Sequence, residues 1–120
     1  MAEFNPISID SAATFGAWLI EHGESERELW VEIYKKSSKQ QTVSFDELLD
    51  LALCHGWIDV QTKGTSDLQY AIRFVPRKTG SNWSDSNRLR VRRLMEAGLM
   101  TPAGIALLPP DLRHEGDADL

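Results

Sequence analysis

The residues able to do chemistry crowd into one stretch of this chain, from Cys54 to Asn87. Cys54 and His55 stand side by side, a thiol next to a base. Trp57, Asp59 and Lys63 follow, spaced by multiples of two. Arg73 and Arg77 come next, and then Trp83, Ser84 and Asn87. One acid, three cations and two indoles suit the capture of a phosphate or carboxylate, because arginine offers paired N–H donors to such groups. A helix opening at Ser84 would add backbone N–H groups and the positive end of a helix dipole. The competing reading is structural. Asp59 and Arg73 would then form a cross-strand ion pair worth about 0.5 kcal/mol, with Trp57 packed on arginine stems.

Other chemistries fit less well. Cys54 and His55 would sit at a helix end, where successive side chains do not face each other. A lone cysteine there is usually a small buried hydrophobe. A partnership of Cys54 with the distant His22 or His114 has no orienting motif behind it. Paired His or Cys spacings and calcium-loop patterns are missing, so neither a metal nor a cofactor is expected. Acids such as Glu24, Glu28, Asp46, Glu47 and Asp50 could hold iron loosely, although a solvated acidic face accounts for them more simply.

The elements that must position these residues can be read from periodicity and punctuation. A first helix starts at Asp10 or Ser11, buries Phe15, Trp18 and Leu19, and closes at Gly23. Leu29 to Tyr34 alternates with period two, as a strand does. Ser44 and Glu47 form a capping box, flanked by Val43 and Leu48 at the staple positions, for a helix ending at Gly56. Trp57–Lys63 and Gln69–Val75 read as a hairpin about the turn residues 64–67, stopped by Pro76. Ser84 caps a third helix closed by Gly98. Thr101-Pro102 opens a short fourth, which Pro109-Pro110 ends.

The expected architecture is α+β, a small antiparallel sheet with strands near 28–36, 56–63 and 69–76. About four helices near 11–22, 45–55, 84–97 and 102–108 would pack it. One domain would span 1–110, beginning with an extended arm at 1–9, with a polar, disordered tail at 111–120. Strict alternation along the hairpin would put Ile58, Val60, Ile72 and Phe74 on the core face. Trp57, Asp59, Lys63, Arg73 and Arg77 would then share the outward face.

Composition narrows the class. The chain has 120 residues, 42% of them hydrophobic and 26% charged, an ordinary single-domain balance. Its one cysteine allows no internal disulfide, as in a reducing compartment. No signal-like or membrane-length apolar run is present, so a cytoplasmic protein without membrane insertion is expected. The net charge of −5 is uneven: residues 63–93 carry 8 basic against 2 acidic side chains, a local +6 in an otherwise acidic chain. Arg88, Arg90, Arg92 and Arg93, with Trp83 nearby, could form a nucleic-acid stripe. The pI of about 5.1 argues instead for pairing with acidic helices of the same fold.

Long, ordered motifs also carry a resemblance. Ala52 through Asp59, Arg73-Phe74-Val75-Pro76-Arg77, Ser81-Asn82-Trp83-Ser84 with Asn87, and Met100-Thr101-Pro102-Ala103-Gly104 resemble signatures of the YdeI/OmpD-associated family, often labelled bacteriocin-protection proteins. The match covers about residues 10–108. His55 stands where that family usually has an aromatic, and Val60 where it usually has glycine. The resemblance implies a compact α+β domain in a bacterial cytoplasm, serving a stress- or envelope-related binding role. A more distant likeness, to YdhG-type proteins proposed as frataxin-like iron chaperones, implies iron binding as an alternative. A third possibility is an enzyme acting on a phosphorylated or carboxylated metabolite, with Asp59 as general base. The partner expected from these residues is a small anion or a protein.

Overall fold

Helix starts are set by side-chain caps, and the computed structural model, which describes residues 4–117, shows the caps of the first four α-helices closed. The Thr14 amide donates to Ser11 Oγ at 3.3 Å, and α1 runs Ala12–His22. Ser44 and Glu47 bond reciprocally, and α2 runs Phe45–Cys54. The Asn87 amide donates to Ser84 Oγ at 3.1 Å ahead of α3, Asp85–Glu96. Thr101 caps α4, Pro102–Ala106, which has proline in its first turn. Losing such a cap typically costs about 1 kcal/mol.

Four strands form one sheet in the order β1-β2-β4-β3. They are β1 (Ile7–Ser8), β2 (Leu29–Tyr34), β3 (Trp57–Gly64) and β4 (Gln69–Pro76). The pair β1–β2 is parallel and the others antiparallel. Leu29, Val31 and Ile33 lie opposite Phe74, Ile72 and Tyr70 on one face. Phe15 and Leu19 of α1, with Leu48 and Ala52 of α2, pack onto that face to form the main core.

The other side of α2 builds a second core. Leu49, Leu53 and Cys54 meet Val91 and Leu94 of α3, then Leu108 and Leu112. Burial on two sides explains why α2 carries Leu48, Leu49, Ala52, Leu53 and Cys54 as buried residues within ten positions. It also seats α3 beside the end of the β3–β4 hairpin.

The α+β class is as expected, with two additions and one change of register. Ile7–Ser8 pairs with Val31–Glu32, so part of the expected arm is a strand; residues 1–3 lie outside the described residues. The tail expected to be disordered is helical over α5, Pro110–Asp117. Pro110 begins that helix as well as ending the one before it, and Leu112 is 2% exposed in the second core. Burying that one leucine offsets the ordering of a polar turn, at about 1.5–3 kcal/mol. Residues 118–120 lie outside the described residues.

The change of register is a β-bulge between Asp59 and Gln61. Trp57 and Asp59 lie opposite Pro76 and Phe74, whereas Gln61 and Lys63 lie opposite Arg73 and Ala71. Directly opposed residues share a face. Strict alternation therefore holds on each side of Val60 and reverses across it. Trp57 points into the main core, at 1% exposure, instead of outward, and Val60 is 49% exposed instead of buried. Ile58 stands against the second core.

Candidate functional site

The connection from β4 to α3 creates the site. Pro76 stops the strand, Gly80 turns the chain at φ +79°, and Ser84 starts α3. Between them the chain folds back on Arg77. The Arg77 amide donates to Gly56 O at 2.8 Å, and its Nη2 donates to Asn82 O at 2.7 Å. The guanidinium lies 3.8 Å from the centroid of the Trp83 ring, a stacked cation–π contact. Trp83 in turn packs against the second core, so the stack is anchored in the fold.

This pinned arginine borders a cleft of about 540 Å³. Ile58, Val60, Val75 and Pro76 make its apolar wall, and Asp59, Arg77, Ser84 and Asn87 contribute polar groups. Lys78, Ser81 and Asn82 complete it. The buried Nε of Arg77 has no hydrogen-bond partner, nor has the buried Oγ of Ser81. Leaving such a donor unpaired costs about 1–3 kcal/mol, more when it is charged. Burial pushes the Arg77 guanidinium below the usual arginine value, and the nearby Asp59 carboxylate pulls it back up. Among the described residues the Asp59 side chain forms neither a hydrogen bond nor an ion pair.

Across the wall of Val60, Val75, Pro76, Arg77 and Lys78 lies a second cleft, which adds Arg27 and Arg73. Arg73 and Arg77 thus border one cleft. Arg73 is already engaged, its Nε donating to Glu28 Oε1 at 2.7 Å. The expected Asp59–Arg73 ion pair does not form, because the bulge sets Gln61 and not Asp59 opposite Arg73.

The structure therefore divides the eight expected site residues. Asp59, Arg77, Ser84 and Asn87 come together, with Trp83 behind Arg77 and Arg73 in the adjoining cleft. Trp57 belongs to the core, where its Nε1 donates to Gly23 O at 3.1 Å. Lys63 lies further along the strand, past the bulge, with its Nζ 4.3 Å from the Phe4 ring centroid. Lys78, Ser81, Asn82 and Arg27 were not anticipated. The first three fall within the polar run after Pro76, and the turn chemistry of Thr79-Gly80 was the signal that this run folds back.

The most chemical-looking pair is inert. Cys54 is 4% exposed, and its thiol is pushed up to about 11 by burial and then by Asp50. Burial likewise holds His55 below the usual histidine value. The Cys54 carbonyl accepts from the Thr101 amide at 3.0 Å and from Thr101 Oγ1 at 2.6 Å. A Cβ on Gly104 would overlap that same carbonyl oxygen. At Gly56, φ is +80° and a Cβ would lie 2.8 Å from Leu107 Cδ1. Both motifs are close-packing devices that seat α4 on the end of α2.

The basic face of α3 is committed inside the fold. Arg90 bonds Asp50 at 3.0 Å and Asp46 at 3.1 Å, Arg93 bonds Asp50 at 3.0 Å, and Arg88 pairs with Asp111. Four of the five acids considered for iron are engaged as well: Glu28 with Arg73, Glu47 with Ser44, and Asp46 and Asp50 with α3. Among the described residues no group of three or more His, Cys, Asp or Glu is placed to hold a metal ion. No helix among them is long and apolar enough to cross a membrane.

A small α+β domain with one pinned arginine beside an apolar-walled cleft is the class these features define. Residues 7–107 match the family model described as domain of unknown function DUF8412, and the chain belongs to that family. Neither a curated protein nor a solved structure matches it.

Proposed function

We propose that this protein is a non-enzymatic binding domain whose β4–α3 cleft accepts the carboxylate or phosphate of a small molecule. The observation that carries this reading is the state of Arg77. Its guanidinium is fixed in place by Trp83 and Asn82, yet its buried Nε has no acceptor. A cation held rigidly in the wall of a cleft, with no carboxylate of the fold in contact with it, is organised for an anion from outside. The start of α3 at Ser84 favours negative charge at the same place. The resemblance to the YdeI/OmpD-associated family supports a stress- or envelope-related setting in a bacterial cytoplasm.

Titration of the labelled protein with inorganic phosphate and with short carboxylates, followed by amide chemical shifts at constant ionic strength, tests this. Shifts should centre on Arg77–Asn87, and Arg77→Ala should abolish them. Shifts scattered over all basic residues, unchanged in Arg77→Ala, would refute the reading. A second reading keeps Asp59 as a general base toward the bound molecule, since its carboxylate lines the cleft without a hydrogen bond or ion pair. On that reading Asp59→Asn retains binding and loses all turnover.

A further inference from the structure

The cleft is lined by two opposite charges that attract each other through space but form no ion pair. Arg77 and Asp59 both line it, but Asp59 makes no ion pair, so the two lie beyond direct contact. Between and around them the wall is aliphatic: Ile58, Val60, Val75 and Pro76. A simple anion settling on Arg77 would have to tolerate the Asp59 carboxylate in the same partly enclosed space. Coulomb repulsion there is stronger than in bulk water. A ligand bringing its own cation converts that repulsion into a second point of attachment. The volume of about 540 Å³ leaves room for a body of one or two residues.

Resting on the anion-site reading above, we propose that the cleft binds a small aliphatic zwitterion, an amino acid or dipeptide, with its carboxylate on Arg77 and its ammonium on Asp59. The apolar wall takes the aliphatic side chain. Asn82 and Asn87 flank the polar end and select for the orientation of the charged groups. The bulge at Val60 is part of the device. It leaves Asp59 and Val60 next to each other at the rim of β3, an edge strand of the sheet, one supplying charge and the other apolar surface.

Calorimetric titration of the full chain with four probes decides the matter: L-leucine, glycyl-L-leucine, 4-methylpentanoate and 3-methylbutylamine. At least one zwitterion should bind about 10-fold or more tighter than either singly charged analogue, the effect expected for one added charge-assisted hydrogen bond. Whichever zwitterion binds tighter identifies the source as a free amino acid or a peptide. Asp59→Asn should weaken that zwitterion about 10-fold and leave 4-methylpentanoate as tight or tighter. If 4-methylpentanoate matches both zwitterions on the wild type, the zwitterion proposal is overturned and the anion site stands. If neither inorganic phosphate nor any carboxylate probe binds, both are overturned. The analogue series on the wild type decides without the variant, so a folding defect in Asp59→Asn leaves the proposal testable.

Discussion

Two segments of similar chemical richness meet different fates in this fold. Around Cys54, Gly56 and Trp57 the polar atoms are consumed internally: the Cys54 carbonyl by Thr101, the Gly56 carbonyl by the Arg77 amide, the Trp57 indole by Gly23. Arg77, Ser81 and Asp59 line the cleft, and there Arg77 Nε, Ser81 Oγ and the Asp59 carboxylate have no hydrogen-bond partner within the fold. Both segments hold residues that could react or bind. What separates them is whether the rest of the chain supplies the complementary group, and a site is found where it does not.

Substitutions can break or sharpen this contrast, since the first segment should respond in stability and the second in binding. The largest effect is expected from Trp57→Ala, which empties a fully buried site and should cost about 3–5 kcal/mol in denaturant unfolding. Gly104→Ala should follow at about 1–3 kcal/mol, because the obstructing atom is backbone and yields little. A cost below 1 kcal/mol for both would mean the motifs around them are not packing devices.

Alkaline pH gives a second, smaller handle. The folded Cys54 thiol titrates at about 11 against an ordinary 9.0, so its folded value is raised. Its contribution is fully present below pH 9 and is lost as pH climbs from there through 11, because the unfolded chain ionises first. Wild type should therefore lose on the order of 2 kcal/mol more than Cys54→Ala over that range. Parallel stability curves for the two proteins would show that Cys54 is not shielded.

The smallest effect on stability should come from Arg77→Ala, at about 1 kcal/mol or less, the value of one cation–π contact at a partly exposed site. A loss of 3 kcal/mol or more would move Arg77 into the structural class and collapse the contrast.

Much of this was legible in the chain. Ser44 with Glu47, Ser84, and Thr101-Pro102 announce their helices because capping is local chemistry. Leu29–Tyr34 announces its strand because alternation is local too. The pairing of α3 arginines with acids was legible from charge balance alone. Three things were not. The bulge at Val60 inserts one residue without any glycine or proline to mark it, so Trp57 and Asp59 were given the face of Arg73 when their register sets them opposite Pro76 and Phe74. The strand Ile7–Ser8 is two residues long, too short for a pattern. Leu112 sits among polar neighbours, and only the hydrophobic faces of α2 and α3 reveal that a place is kept for it. Within the site, Arg77, Trp83, Ser84 and Asn87 were found because they follow one another closely in sequence. Arg27 was missed because only the folded sheet brings it near.

The stacking of Arg77 on Trp83 has an optical consequence. An indole 3.8 Å from a guanidinium emits in the field of that charge. Trp57 and Trp18, edge to face at 5.5 Å and packed in or against the main core, and Trp30, whose Nε1 donates to Glu28 Oε1 at 3.0 Å, supply a constant background. A molecule that neutralises Arg77 or draws it off the ring shifts the emission of Trp83 alone. The chain thus carries its own dye at the rim of its cleft, and occupancy can be read from intrinsic fluorescence without attaching a label.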